Sequence, residues 1–320
     1  MTKRRRVRQR EWFQAALQIR GSVIPAVLGR SILYGLFGIF VSYLYYHKVP
    51  VHIPALSALI PNLVLGLLLV FRTNTAYERF WEGRKAWGAL VNTVRNLARR
   101  IWVVIETENS GDREQKIAAL RLLVAFAVAT KLHLRGEAIN SELAVLLNTE
   151  QFEQLQQANH PPLKIALFLG EYLSDKTKRG LINPYQFDTM LRMLDTMVDM
   201  LGSCERILKT PIPTAYAVHL KQLLLLYCFS LPFQMVEGLG WWTGLVTGLI
   251  SFTLLGIEEI GIEIENPFGY DPNDLPLDAI CETMLRNIEN LVSLEPSAAR
   301  SDDLGDAARV NRLLQKELQL

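Results

Sequence analysis

The sequence predicts an all-α membrane protein: four transmembrane helices in two hairpins, with a large helical region in the cytosol. Three observations predict it. Half of the 320 residues are apolar while 21% are charged, and the mean hydropathy is +0.15. That is too oily for an average soluble chain and too charged for a bare membrane bundle. Apolar runs of about 20 residues, the length that crosses a bilayer's hydrocarbon, come in two pairs. Between the pairs, recurrent apolar positions follow helical spacing, and nothing alternates with period two for long enough to argue for a sheet.

Taken in order, residues 1–22 open with "MTKRRRVRQREW". The stretch is basic, but the apolar run begins only near Val23, without the short core and small-residue cleavage site of a signal peptide. It reads as a cytoplasmic anchor; a net charge of +2 and the span that follows argue against a nucleic-acid partner. Residues 23–71 form the first hairpin, with spans from Val23 to Tyr46 and from Ile53 to Phe71 joined by "HKVPVHIP". Residues 72–215 form a cytosolic helical region. Residues 216–257 form the second hairpin, with spans between Tyr216 and Val236 and between Trp241 and Ile257, turning at "EGLGWW". Residues 258–296 are a cytosolic connector and helix. Residues 297–320 are a polar tail whose segment from Asp306 to Leu318 is amphipathic.

Lysine and arginine set the orientation. The N-terminal cluster, Arg30, the group from Arg72 to Arg100, Lys209 and Lys221 all flank one side. Tyr43, Tyr45, Tyr46, Trp241 and Trp242 suit the interface at the other. Both termini and the central region are therefore expected in the cytoplasm, with the chain multi-pass in the inner membrane. In the soluble part, Asp112 is read as an N-cap and Gly136 as the stop of one helix. "NSELAVLLNTEQFEQLQ" and "YQFDTMLRMLDTMVDMLGSCERIL" read as helical too.

The second span has no reason to stop at the membrane surface. "RTNTAYERFWEGRKAW" lacks proline, and its one glycine, Gly83, comes late. One helix is expected to leave the bilayer and run on into the cytosolic core, with Pro61 and Asn62 marking the turn before it. Leu63, Leu67 and Phe71 stand at i, i+4 and i+8, one face covering about 12 Å of helix axis. That stripe faces lipid or packs in a core, or else, in a symmetric assembly, it becomes stacked apolar rings around a pore, a constriction that gates by dewetting.

Beyond the fourth span, Glu258, Glu259, Glu263 and Glu265 crowd the depth of Arg72 and Arg79. Buried carboxylates need cations or water. Either these groups form an ion-pair and capping network, or Arg72, Glu258 and Glu259 also line a vestibule and bias which ions enter. A di-iron carboxylate enzyme would need Glu-x-x-His pairs. None of His47, His52, His133, His160 and His219 has a glutamate three residues before it. No nucleotide-binding glycine loop or hydrolase elbow is present, so no enzymatic activity is expected. Cys204, Cys228 and Cys281 match no zinc or redox spacing.

Three stretches point to a family. "FRTNTAYERFWEGRKAWG" (Phe71 to Gly88), "CERILKTPIPTAYAVHL" (Cys204 to Leu220) and "IEIENPFGYDPNDLPLD" (Ile262 to Asp278) resemble bestrophin motifs, those of the bacterial bestrophin-like proteins in particular. They come in family order. The resemblance implies a homopentamer in the lipid bilayer with one central pathway for inorganic ions. It places the neck at Leu63, Leu67 and Phe71, and a cytosolic constriction near Ile182, with Leu181 or Tyr185 as alternatives. It also maps an animal-type calcium clasp onto Glu263, Asn266 (through its carbonyl), Asp271 and Asp274. Ca2+ is thus the one candidate cofactor, but Tyr270, Pro272 and Asn273 interrupt the acidic run, and the same stretch reads as a turn-rich connector capped by its aspartates.

The expected function is a passive ion channel conducting anions, chloride-like or bicarbonate. A helical neck offers no free carbonyls, so weakly hydrated anions lose least on entering it, and the positive edge of Phe71 favours them. A cation-permeable channel of the same architecture and a secondary transporter are the alternatives. The latter should show internal repeats, and the two hairpins show no convincing similarity.

Overall fold

The computed structural model of the protein describes residues 18, 19, 21–53 and 59–293, the side chains of 59–62 excepted. The basic N-terminal anchor lies almost entirely outside the described residues, and the amphipathic segment from Asp306 to Leu318 lies wholly outside them. Among the described residues all regular structure is helical: α1 (Ile24–Tyr46), α2 (Leu59–Val104), α3 (Ser110–Arg135), α4 (Ser141–Ala144), α5 (Thr149–Gln156), α6 (Pro161–Lys178), α7 (Pro184–Lys209), α8 (Thr214–Leu239), a 3-10 turn at Gly240–Trp242, α9 (Thr243–Glu263) and α10 (Leu277–Ser293). The chain divides into two compact units, Met1–Ala86 with Ser203–Leu275, and Trp87–Gly202 with Pro276–Leu320.

The defining element is α2, a single helix of 46 residues. It runs through the change from apolar to charged sequence without a break, as the absence of a helix breaker there predicts. Pro61 falls inside its first turn rather than before it, where a missing N–H costs no intrahelical bond.

In the first unit α1 packs along α9, and both contact α8. The α1–α9 crossing depends on missing side chains. A Cβ on Gly38 would lie 2.8 Å from the Gly244 Cα, and one on Gly244 would collide with Ile39 and lie 2.9 Å from the Gly35 carbonyl oxygen. Ser31, Ser42, Thr243, Thr247 and Ser251 are buried nearby. Between helices in lipid there is little hydrophobic drive, so close backbone approach supplies the contact energy. At the far end, Tyr46 stacks on Trp241 with ring centroids 4.9 Å apart, and the Ser42 hydroxyl lies 2.9 Å from the Gly240 carbonyl. On the other side of the unit, Leu65 and Leu69 of α2 pack with Leu220 and Leu224 of α8. Pro232 sits inside α8, which continues through it.

In the second unit α3 is the central helix, in contact with α6 and α10. By length and composition it could cross a membrane, as could Ile24–Tyr46 and Thr214–Glu263. However, 78% of its apolar window is buried inside the protein, against 22% and 33% for the other two, so its apolarity is that of a core. The second unit's part of α2 buries Trp87, Leu90, Val94, Leu97 and Ile101, a helical stripe. Gly136 ends α3 in the left-handed region at φ 68°.

Two expectations for this unit need correction. The N-cap of α3 is Asn109, whose side chain accepts the Asp112 N–H at 2.9 Å. Asp112 instead stands in the first turn, buried, and its carboxylate receives Arg179 through both guanidinium nitrogens at 2.6 and 2.9 Å and Lys176 at 3.0 Å. The segment expected as one helix from Asn140 onward is two, α4 and α5. Asn148 forms a capping box with Gln151, which makes a new helix start cheaper than continuing the old one. Arg179 and then Lys176 hold the Asp112 carboxyl well below the usual carboxylate range.

Two predictions follow from this packing. Gly244→Val should lower the melting temperature of the detergent-solubilised protein, since overpacking costs about 1–3 kcal/mol, whereas Gly29→Ala, where an added Cβ meets nothing within 4 Å, should leave it unchanged. Because the folded-state pKa of Asp112 is depressed, its stabilisation is present above the unfolded value of about 4 and lost as pH falls toward the folded value. Asp112→Asn should therefore be less stable at neutral pH and lose less stability on acidification, read by thermal melts across pH.

Candidate pore and boundary network

Every site residue expected from the sequence on the membrane side lies in the first unit. At about 100° per residue, Leu67 points roughly 160° away from the buried Leu65. Leu63, Leu67 and Phe71 are 70%, 52% and 55% exposed. They thus form one stripe on the side of α2 opposite its packed face. The same stripe continues beyond Phe71 through Asn74, Glu78, Trp81 and Lys85, all exposed. Tyr77 and Trp81, part of the aromatic recurrence along this helix, lie toward this open side rather than in a core.

The packed side carries the charges that end buried. Arg72 is 5% exposed, and its Nη2 donates to Glu265 Oε2 at 2.7 Å. The other carboxylate oxygen of Glu265 accepts the Ile212 N–H at 3.0 Å. One turn pair further along α2, Arg79 donates to the Glu265 carbonyl at 3.1 Å, to the Ile207 carbonyl at 2.6 Å and to the Thr210 carbonyl. The last carbonyls of a helix lack intrahelical partners, and Arg79 fills that need at the end of α7. Arg72 and Arg79 stand seven residues apart, two turns on one face, so both reach the same segment after α9. Glu82 of α2 pairs with Arg206 at 2.5 Å, and Arg30 of α1 pairs with Glu259 at 2.5 Å. Tyr216 donates to the Leu68 carbonyl at 2.7 Å.

Arg72 and Glu258 are thus inside the protomer, and Glu259 is tied to Arg30. Arg72 with Glu265 and Arg30 with Glu259 are pairs of the kind the ion-pair and capping reading expects. Sequence reasoning grouped Glu265 with its neighbours but did not single it out; the i, i+7 spacing of Arg72 and Arg79 was the available signal.

Of the four positions mapped to a calcium clasp, the side chains of Glu263, Asn266 and Asp274 accept hydrogen bonds within the turn. Glu263 accepts from Asn273 at 2.7 Å, Asn266 accepts the Phe268 N–H at 3.3 Å, and Asp274 accepts the Asp271 N–H at 2.8 Å. The Leu275 N–H returns to the Pro267 carbonyl at 3.0 Å. Among the described residues the carboxylates of Glu263, Asp271 and Asp274 do not converge as a metal-ligand group. The stretch is a turn in which the Glu263 and Asp274 carboxylates are engaged by groups of the same turn. In the second unit, Ile182 is 3% exposed and Leu181 is buried with it, whereas Tyr185 is 87% exposed.

Long apolar helices with sparse internal burial define a helical membrane protein. Comparison with known proteins gives its family. A profile described as Bacterial/Fungal Bestrophin protein matches residues 1–290. A voltage-dependent anion channel-forming protein of Nostoc sp. is 62% identical over 304 residues, covering 95% of this chain and 99% of the relative. One of the same name from Synechocystis sp. is 55% identical, covering 90% and 94%. A crystal structure of a bacterial bestrophin homologue from Klebsiella pneumoniae superposes with TM-score 0.76 at 30% identity, covering 85% of this chain and 100% of that one. The chain belongs to the bacterial and fungal bestrophin family.

Glu265→Ala should destabilise the protein by about 3–5 kcal/mol, the cost of leaving a buried charge unpaired. In a double-mutant cycle with Arg72→Met, the two losses should be strongly non-additive, as read from denaturant or thermal unfolding in detergent.

Proposed function

We propose that the chain forms a passive anion channel of the inner membrane. The reading rests most directly on the exposed stripe of Leu63, Leu67 and Phe71, which continues past the hydrophobic stretch into Asn74, Glu78 and Lys85. A face that merely met lipid would end where the membrane ends. A face turned toward a shared axis explains both halves: apolar where the pathway narrows, polar where it widens into water. The name carried by the Nostoc and Synechocystis relatives, together with membership of the bestrophin family, supports anions as the cargo.

In this reading several copies stand around one axis as a homo-oligomer, and five is the number the family resemblance implies. The apolar runs of α1, α2, α8 and α9 span the bilayer as two hairpins, with both termini in the cytoplasm. Leu63, Leu67 and Phe71 form the neck, whose α-helical backbone has its carbonyls engaged in helix bonds. Ions then cross by shedding water, a step that favours weakly hydrated anions, while the edge of Phe71 adds a positive rim. Arg72, Glu258 and Glu259 act by holding the helices at the boundary. A cytosolic constriction near the turn at Ile182 would be lined by Tyr185, because a side chain that lines a pathway must be open on the isolated protomer.

Replacing Leu63, Leu67 and Phe71 together with alanine should raise single-channel conductance several-fold in planar bilayers. The purified protein under a chloride gradient should show a reversal potential near that of chloride. An unchanged conductance would remove the neck, and a reversal potential near that of the cation would favour the cation-permeable alternative.

A further inference from the structure

Of the six charges along the first unit's part of α2, Arg84 is exposed off the stripe and takes part in no ion pair among the described residues, and the other five sort into two classes. Those on or beside the packed side have partners: Arg72 with Glu265, Arg79 with three carbonyls, Glu82 with Arg206. Glu78 and Lys85 lie on the open stripe, in line with Leu67 and Phe71, and neither takes part in an ion pair among the described residues. At 1.5 Å per residue, Glu78 stands about 10 Å and Lys85 about 21 Å beyond Phe71 along the axis.

We propose that Glu78 and Lys85 are the charge-selecting residues of the inner pathway, one repelling anions and the other attracting them. The inference rests on the reading of this face of α2 as pore-lining. Repetition around an axis turns each side chain into a ring. Several like charges facing one water-filled lumen with low-dielectric walls raise the local potential by several kT, far more than one exposed charge does. The Lys85 ring concentrates anions in the wide part of the pathway. The Glu78 ring, nearer the neck, opposes them and draws cations. Net preference is therefore the difference of two opposed rings and can be moved either way by one substitution. Phe71 and the leucines would set how easily a dehydrated ion passes, and these rings would set which sign arrives there.

The test is the reversal potential of the reconstituted protein under a KCl gradient, with oligomer size checked for each variant. Lys85→Glu should lower the chloride-over-potassium permeability ratio by roughly threefold or more, and Glu78→Lys should raise it by a similar factor, the scale a ring potential of one or two kT sets. Both shifts should shrink in 1 M salt, where screening acts within about 3 Å. Should a charge reversal impair assembly, Glu78→Cys and Lys85→Cys can be modified after assembly with cationic or anionic thiol reagents; the native Cys204, Cys228 and Cys281 are buried. Added positive charge at either position should then favour chloride, and added negative charge potassium. Unchanged reversal potentials at both positions, in a protein whose alanine-substituted neck conducts more, would overturn this inference alone. If the neck variant also conducts as before, the pore reading falls and this inference falls with it.

Discussion

The Glu265 carboxylate is the point on which the first unit's arrangement depends. A helix that leaves the hydrocarbon unbroken carries its first charges out at the boundary, where a buried ion without a partner costs several kcal/mol. In α2 that ion is Arg72. Glu265 pairs with it, while its second oxygen holds the Ile212 N–H and its backbone carbonyl holds Arg79. One residue thereby fixes the register of α2 against the segment after α9 and against the turn before α8. Arg79 extends the same fixation to the end of α7. Remove that carboxylate and the buried Arg72 loses its partner, leaving Arg79, Glu82 and the Tyr216–Leu68 contact, with the apolar packing at Leu65 and Leu69, to hold the rotation of α2.

Rotation is what the proposed function needs. A helix offers a pore the side chains on one face, and a turn of one residue position would swing Leu67 by about 100° and replace the stripe with others. The glycine contacts between α1 and α9 do comparable work within the same unit. Close approach at Gly38 and Gly244 leaves the crossing little freedom to slide, because any bulk at those positions would meet backbone. Rigid placement of α9 in turn places the Glu265 that follows it.

Much of this was legible in the sequence, and the parts that were not share a cause. The unbroken α2 follows from the lack of any helix breaker between Gly66 and Gly83, a purely local property. The buried stripe from Trp87 to Ile101 follows from period. The N-cap of α3 was misplaced because Asn109 and Asp112 are both good caps, and the choice was decided by Lys176 and Arg179, more than sixty residues away in sequence. The break between α4 and α5 was local, written in the Asn148–Gln151 pair, and could have been read. Near Ile182, the resemblance left Ile182, Leu181 and Tyr185 open, and of these the protomer buries Ile182 and Leu181 and leaves Tyr185 exposed. Spacing identifies which residues share a face but not which face is covered, since that depends on partners from distant sequence.

The same limit explains why the ionisable residues near the boundary were read as one crowd. Glu258, Glu259, Glu263 and Glu265 are alike in composition and depth, yet each has a different surrounding. Glu258 is buried, Glu259 is paired with Arg30, Glu263 is held by Asn273, and Glu265 joins three chain segments. Charges spent on holding helices together are poorly placed to act on ions in transit, because Arg72, Glu259, Glu263 and Glu265 are already matched by an opposite charge or a donor and Glu258 is buried. Selectivity has to come from charges the fold leaves unmatched. On the open stripe of the first unit's α2 those are Glu78 and Lys85, and in the proposed reading this one helix both narrows the pathway at Leu63, Leu67 and Phe71 and decides the sign of what enters it.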